Sequence, residues 1–287
     1  MLPRQELRRI VETALAEDLA WGDATVDAII PADLKARGTI VAREDGVLAG
    51  IEVASEVFRT VDSSVQFQPL AADGDEVHRG QELASVRGSA AGILSSERVA
   101  LNFLQRLSGV SSLTSRYVHA VAGYRARIVD TRKTTPGLRT LEKYAVVVGG
   151  GTNHRQNLSD GILIKDNHLA ALATRGQGLV DVVATACRRA RHTQRVEVEV
   201  ETPEQAQEAA QAGAELILLD NMSLEEMRRA VELVGGRALL EASGGMTLET
   251  VAGVAATGVD LISVGALTHS ARALDIALDF TLLGIAL

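Results

Sequence analysis

Short apolar runs that stop abruptly in polar residues recur through the second half of the chain: RIVDTRK, ILIKDNH, VEVEVET, LILLDN, LLEASGG and LISVGALTH. Between the later runs lie amphipathic helical patterns, PEQAQEAAQAG, SLEEMRRAVELVG and TLETVAGVAATG. The runs follow one another at roughly 20 to 35 residues, the spacing of β/α units with parallel strands. Six such units in series favour a barrel, incomplete in its strand count, over an open sheet. The first half has another texture. From Lys35 to Gly92 short alternating segments and glycine turns (GTIVARED-GVLAGIEVA, VQFQPLAADGDEV, GQELASVRGSAAG) predict strands and hairpins. A long helix is expected over SSERVALNFLQRLSGVSSLTSRYVHAVAG, with Leu101, Leu104 and Leu107 at periodic positions. Leu7, Ile10, Val11, Ala14 and Leu15 give the amino end an amphipathic helix.

In a β/α barrel the chemistry collects at the carboxyl ends of the strands, where every polar cluster above falls. VEVEVET is the most unusual strand, because buried parallel strands normally read as continuous aliphatic runs. Side chains alternate, so Val196, Val198 and Val200 can pack under helices while Glu197, Glu199 and Glu201 point inward. Inward carboxylates suit Mg²⁺ or sugar hydroxyls; a solvated edge strand is the plain alternative. Asp220, which ends LILLDN, is the natural partner one strand on, since Ser223 is the better cap for the next helix. Ser243, Gly244 and Gly245, then Gly265 and Ala266 after Val264, end the last two strands. Glycines there let backbone N–H groups approach a phosphate, although left-handed turns use glycine equally well. His269 could add a donor or act as a cap.

Charge sharpens this picture. The chain has 287 residues and a net charge of −8, which argues against nucleic-acid or anionic-membrane surfaces. Only four lysines occur against twenty-five arginines, and Lys133, Lys143 and Lys165 fall within one stretch, Asp130 to His168. That stretch is a basic island in an acidic chain, which suggests a small anionic ligand. Arg132 with Lys133, His154 with Arg155, and Lys165 with His168 lie at strand ends or beside the glycine turn Gly149–Gly151. Arginine forks grip carboxylates in a bidentate manner, so a dicarboxylate beside a phosphorylated sugar fits. GGGTNHR lacks the GK[ST] of a nucleotide-binding loop, and the histidines lack zinc-ligand spacing. The single Cys187 reads as a buried helix position and excludes an internal disulfide. No leader or membrane-spanning run is visible, and a cytoplasmic location is expected.

The run DTRKTTPGLRTLEKYAV…GGGTNHRQNLSDGILIKDNH, followed by VEVEVE, LILLDN, EASGG and VGALTHS, resembles the quinolinate phosphoribosyltransferases, a type II phosphoribosyltransferase family also called carboxylating nicotinate-nucleotide pyrophosphorylases. The likeness also takes in EDLAWGDAT and SSERVALNFLQRLSG, and so essentially the whole chain. Molybdenum-transport-associated relatives share the DTRK-like and NHR-like segments but are expected to depart at IKDNH, which is intact here. The resemblance implies an α/β fold, an incomplete β/α barrel over residues 116–287 preceded by a smaller α+β domain of open-faced sandwich type over residues 1–115. A carboxyl-terminal helix over residues 272–287 is expected to pack back on that smaller domain. It also implies roles: quinolinate held by Arg132, Lys133, His154, Arg155 and Lys165, with Arg98 reaching in from a second subunit. Glu199 and Asp220 would bind the ribose of phosphoribosyl pyrophosphate and its Mg²⁺, and Ser243, Gly244, Gly245, Gly265 and Ala266 would cradle the 5′-phosphate. The catalytic groups would be Lys133, Lys165, Glu199 and Asp220, in a homodimer or larger homo-oligomer with shared sites.

Two other classes share some of these features. A lysine at a barrel strand end, such as Lys165, also serves Schiff-base lyases. DGDEVHRGQELASVRGSAAG is similar to a lipoyl-type hairpin but contains no lysine to modify.

Overall fold

A computed structural model describes residues 2–282 and divides the chain into two compact units. The first contains residues 1–115, 134–150 and 270–287; the second contains residues 116–133 and 151–269. The chain therefore crosses between units several times: beside the boundary expected near residue 115 and the return expected of the carboxyl-terminal segment, residues 134–150 also belong to the first unit.

The first unit begins with α1 (Arg4–Leu19) and α2 (Ala24–Ile29), the latter capped by Asp23 Oδ1, which accepts from the amides of Thr25 and Val26. Next come β1 (Lys35–Ala42), β2 (Gly46–Val47), α3 (Ile51–Val61), β3 (Gln66–Pro69), β4 (Glu76–Val77) and β5 (Glu82–Ser89). Helix α3 departs from the hairpin expected through GVLAGIEVA. Gly50 turns the chain at φ +103°, Asp73 Oδ1 accepts from the amide of Ile51, and Ile51, Ala54, Val57 and Phe58 make one buried helical stripe. The long helix α4 (Ala90–Ala120) leaves this unit near its carboxyl end.

The rest of the chain supplies β6 (Arg127–Val129), α5 (Arg139–Val148), β7 (Ile162–Ile164), α6 (Asp166–Ala173), α7 (Leu179–Arg189), β8 (Val196–Val200), α8 (Pro203–Gln211), β9 (Leu216–Asp220), α9 (Leu224–Val234), β10 (Leu239–Ser243), α10 (Val251–Ala255), β11 (Leu261–Ser263), α11 (Ala266–His269) and β12 (Ile276–Leu282). Of these, α5 and β12 belong to the first unit. Its antiparallel sheet has the order β12-β1-β5-β3.

The helix expected over residues 272–287 is instead strand β12 as far as Leu282, and residues 283–287 lie outside the described residues. The alternation in IALDFTL explains the difference. Asp279 and Thr281 are exposed and Ile276 is buried, and the strand pairs antiparallel with β1 from Ala42↔Ile276 to Ala36↔Leu282.

The six predicted strand runs of the second unit are its six parallel strands, in the order β6-β11-β10-β9-β8-β7. Edge strands β6 and β7 do not pair with each other, and Val129 of β6 instead bridges Thr152 in parallel. Residues at or just beyond the ends of all six strands line one cavity, so the sheet curls into an incomplete barrel. Val196, Val198 and Val200 are buried against neighbouring helices, as the alternation required. Among the described residues no helix is long and apolar enough to cross a membrane.

Candidate active site

The cavity at the carboxyl ends of the parallel strands has a volume of about 410 Å³. Arg132, Lys133, Arg155 and Lys165 bring four cations to it, His154 an imidazole, and Glu199, Asp220 and Glu241 three carboxyl groups. Such convergence of charges in a concave site marks a place for a polar, multiply charged ligand.

Each side chain is positioned by its own strand end. Beyond β6, the Thr131 Oγ1 accepts from the amide of Lys133 at 3.0 Å, and Thr268 Oγ1 donates to the Lys133 carbonyl at 2.8 Å. A Cβ on Gly265 would stand 3.1 Å from His269 Nε2 and 3.3 Å from Lys133 Cδ, so this glycine leaves room for the Lys133 side chain. Beyond β7, Lys165 Nζ lies 2.6 Å from Glu199 Oε2 of β8. The Lys165 amide donates to His168 Nδ1 at 2.9 Å, so His168 caps the start of α6 rather than joining the cavity. Alternation along β8 puts Glu197 below Glu199 inside the barrel, while Glu201 lies past the strand end and is exposed.

Asp220 ends β9 in register with Ser243 of β10, and its Oδ2 accepts from Asn221 Nδ2 at 3.1 Å. Ser223 caps α9 in a reciprocal box with Glu226, which leaves Asp220 free of capping duty as expected. Asn221 takes the left-handed conformation (φ +53°) and its amide donates to the Ser243 carbonyl at 3.0 Å. Gly244 is needed there: it has φ +98°, and a Cβ on it would come within 2.1 Å of Asn221 Oδ1.

Deeper in the barrel, His154 and Glu197 meet two groups that the sequence did not single out, Asp130 and Glu241. Asp130 is fully buried and its Oδ1 accepts from the His154 amide at 2.8 Å. His154 Nε2 lies 3.1 Å from Glu197 Oε2 and 3.6 Å from Glu241 Oε2. These three ligand-type atoms lie within 4.8 Å of one another, a spacing open to a divalent cation. The other ring nitrogen decides against it. The Arg155 amide donates to His154 Nδ1 at 2.7 Å, so the ring proton sits on Nε2 and leaves no lone pair there for a metal. His154 thus turns Nε2 inward as a donor to the two carboxyl groups, where the sequence grouped it with the cations. Burial and the nearby Arg132 lower the pKa of Arg155, with Glu197 opposing them. Burial first, and Glu197 second, push Glu241 up to about 7 against His154 and Ser263. Ser263 is near enough to lower it, but its hydroxyl donates to the Ala242 carbonyl at 3.4 Å, and neither Glu241 oxygen has a hydrogen-bond partner.

Of the residues expected at the site, Arg132, Lys133, His154, Arg155, Lys165, Glu199, Asp220 and Ser243 line this cavity. Gly244, Gly245, Gly265 and Ala266 stand beside it without lining it. Arg98 does not line it; it lines a cavity in the first unit with Arg9, Arg106 and Phe103. Gly149 of the GGG turn serves packing in the first unit, where a Cβ would meet the Ser111 carbonyl at 2.4 Å. Lys143 is buried, and Cys187 on α7, read from the sequence as buried, is only half-buried. Glu241 could have been found from LLEASGG, where a carboxyl group interrupts an aliphatic strand just as in VEVEVET.

Comparison with known proteins gives one answer. The C-terminal domain model of quinolinate phosphoribosyl transferase matches residues 110–279 and the N-terminal domain model matches residues 23–108. A protein of Bacillus subtilis (strain 168) described as a probable nicotinate-nucleotide pyrophosphorylase [carboxylating] is 43% identical over 281 residues, covering 96% of this chain and 94% of its own. The nicotinate-nucleotide pyrophosphorylase [carboxylating] of Mycobacterium leprae (strain TN) is 46% identical over 280 residues, covering 95% of this chain and 96% of its own. The crystal structure of NadC from Streptococcus pyogenes superposes with a TM-score of 0.93 at 43% identity, covering 99% of each chain. With both domain models matched in order and relatives alike along nearly their whole length, the chain belongs to the quinolinate phosphoribosyltransferase family.

Proposed function

We infer that the chain transfers the phosphoribosyl group of phosphoribosyl pyrophosphate to the ring nitrogen of quinolinate, with release of pyrophosphate and CO₂, to give nicotinate mononucleotide for NAD biosynthesis. The observation that carries this reading is the meeting of four cations with the Glu199 and Asp220 carboxylates in one strand-end cavity.

Arg132, Lys133, Arg155 and Lys165 supply the charge that a dicarboxylate needs, and the planar guanidinium forks fix its orientation. His154 shapes the floor of the same pocket. Departure of pyrophosphate leaves an oxocarbenium-like ribosyl centre, which carboxylates at Glu199 and Asp220 stabilise from below. These two groups are hard oxygen donors on adjacent strands, and among the described residues Asp220 accepts only from Asn221, at Oδ2, which leaves Oδ1 open, so the donor set fits Mg²⁺. Mg²⁺ bound there supplies charge neutralisation for the pyrophosphate leaving group. The ring nitrogen attacks the ribosyl carbon, and the resulting pyridinium draws electrons so that the adjacent carboxylate leaves as CO₂. Ser243, Gly244 and Gly245, with Gly265 and Ala266, are the proposed 5′-phosphate cradle; space within 4 Å of a Cβ on Gly245 is empty. Arg98 is proposed to act from a second copy in a homodimer, and the enzyme to work in the cytoplasm.

A Schiff-base lyase needs a free amine at Lys165, whereas Nζ is paired with Glu199. The transferase reading is tested by mixing the protein with quinolinate, phosphoribosyl pyrophosphate and Mg²⁺. Nicotinate mononucleotide and CO₂ should form, and nicotinate in place of quinolinate should give nothing. Preference for nicotinate, or borohydride trapping of substrate on Lys165, would defeat the reading.

A further inference from the structure

The reaction leaves one proton without a source. When CO₂ departs, the bonding electron pair stays on the ring carbon, and a new C–H bond must form there. This inference rests on the transferase reading and deepens it.

A second cavity, of about 350 Å³, opens at the amino ends of the same parallel strands. His154, Arg155 and Glu241 line both cavities and so form the floor between them. The Nε2–H of His154 is a single donor facing two buried carboxyl groups, Glu197 and Glu241. Glu241 is 1% exposed, and both of its oxygens, with Oε1 of Glu197, lack hydrogen-bond partners. A carboxyl group this dry, without a hydrogen-bond partner and beside a second carboxyl group, keeps its proton. Burial and repulsion by Glu197 place that proton on Glu241. The groups that face Glu241 are Glu197 from β8, His154 and Arg155 from the segment after Thr152, Asp130 from the end of β6, and Ser263 from β11. On β9 its register partner is the apolar Leu218.

We propose that the Glu241 carboxyl group is the general acid that protonates the ring carbon after CO₂ leaves, and that solvent recharges it through the second cavity. The C–CO₂ bond breaks, its electron pair takes the Glu241 proton to form C–H, and the carboxylate so formed takes a proton from water on the far side of the floor. Of the two lysines that line the cavity, Lys165 is paired with Glu199, which leaves Lys133 as the rival donor.

Single turnovers of the full-length Glu241→Gln variant with quinolinate, phosphoribosyl pyrophosphate and Mg²⁺ test this, with pyrophosphate, the still-carboxylated mononucleotide and nicotinate mononucleotide separated after quenching. Pyrophosphate release should stay within about threefold of the parent, while nicotinate mononucleotide forms on the order of 100-fold more slowly. The carboxylated mononucleotide should accumulate, because CO₂ recaptures an electron pair that finds no proton. Quinolinate affinity by equilibrium dialysis should be unchanged. Nicotinate mononucleotide that keeps pace with pyrophosphate, or equal slowing of both products, overturns the proposal. Glu241→Asp, which keeps an acid, should recover part of the second step, and a variant as slow as Glu241→Gln counts against it. Absence of pyrophosphate release from the parent chain would instead sink the transferase reading itself.

Discussion

Lys165 Nζ and Glu199 Oε2 lie 2.6 Å apart across the ends of two neighbouring strands, β7 and β8. The lysine side chain remains 46% exposed and the glutamate only 13%. The pair thus ties a mobile ammonium at the cavity mouth to a carboxylate fixed in the barrel wall, and each holds the other in reach of a bound ligand. Glu199→Gln keeps the shape and removes the charge. Turnover should fall by about 100-fold or more while the melting temperature moves little, because a pair whose lysine is open to solvent contributes little stability. Steady-state rates beside a thermal melt check this, and near-normal turnover would remove Glu199 from the chemistry.

Arg132→Ala and Lys165→Ala should abolish measurable turnover with the fold intact. Circular dichroism should be unchanged in both. A purified Lys165→Ala protein with near-normal activity would defeat its assignment.

Gly244 is held against Asn221 by a left-handed backbone and a Cβ position only 2.1 Å from Oδ1. Gly244→Ala should lower unfolding stability by about 1–3 kcal/mol, from backbone strain together with the clash. Adding Asn221→Gly should recover the clash part, so the double variant should unfold at higher urea than Gly244→Ala alone. Equal midpoints would show that the contact is not felt.

In the first unit, Glu142 on α5 is fully buried and accepts four hydrogen bonds: Arg106 Nε at 3.0 Å and Nη2 at 2.6 Å, and the Thr135 amide at 3.0 Å and Oγ1 at 2.7 Å. Glu142→Ala strands the Arg106 charge and frees the turn before α5, at a cost of about 3–5 kcal/mol. Glu142→Gln should cost less, since the amide oxygen still accepts. Urea unfolding of both variants, in that order of damage, is the check.

The raised pKa of Glu241, about 7 against an ordinary value of 4.5, makes the folded chain hold a proton that the unfolded chain releases earlier. Stability from this group is therefore full below the ordinary value and declines as pH rises toward 7, by up to about 3 kcal/mol. Glu241→Gln has no such loss. The stability difference between variant and parent should shift in the variant's favour from pH 4.5 to 7, and a constant difference across that window would place the proton elsewhere.

Much of this was legible in the chain itself. The six aliphatic runs became six parallel strands, and their polar endings, Lys165, Glu199, Asp220 and Ser243 among them, met in one cavity. A period-2 alternation and a sharp hydrophobic-to-polar boundary are local signals, so VEVEVET declared its strand and two of its three expected inward carboxylates, Glu197 and Glu199. The lysine cluster divided once folded: Lys133 and Lys165 reach the cavity, whereas Lys143 is buried.

Other features depended on neighbours distant in sequence. The alternation in IALDFTL allowed a strand, but only the edge of β1, more than two hundred residues away, gave its backbone groups partners. The inward partners of His154 are Glu197 and Glu241, more than forty residues on. Periodicity and residue type, which act within a few residues, determined the strands, their inward faces and the anionic ligand class. Hydrogen-bond partners and dielectric, which exist only once remote segments meet, decided which carboxyl groups His154 faces and the raised pKa of Glu241.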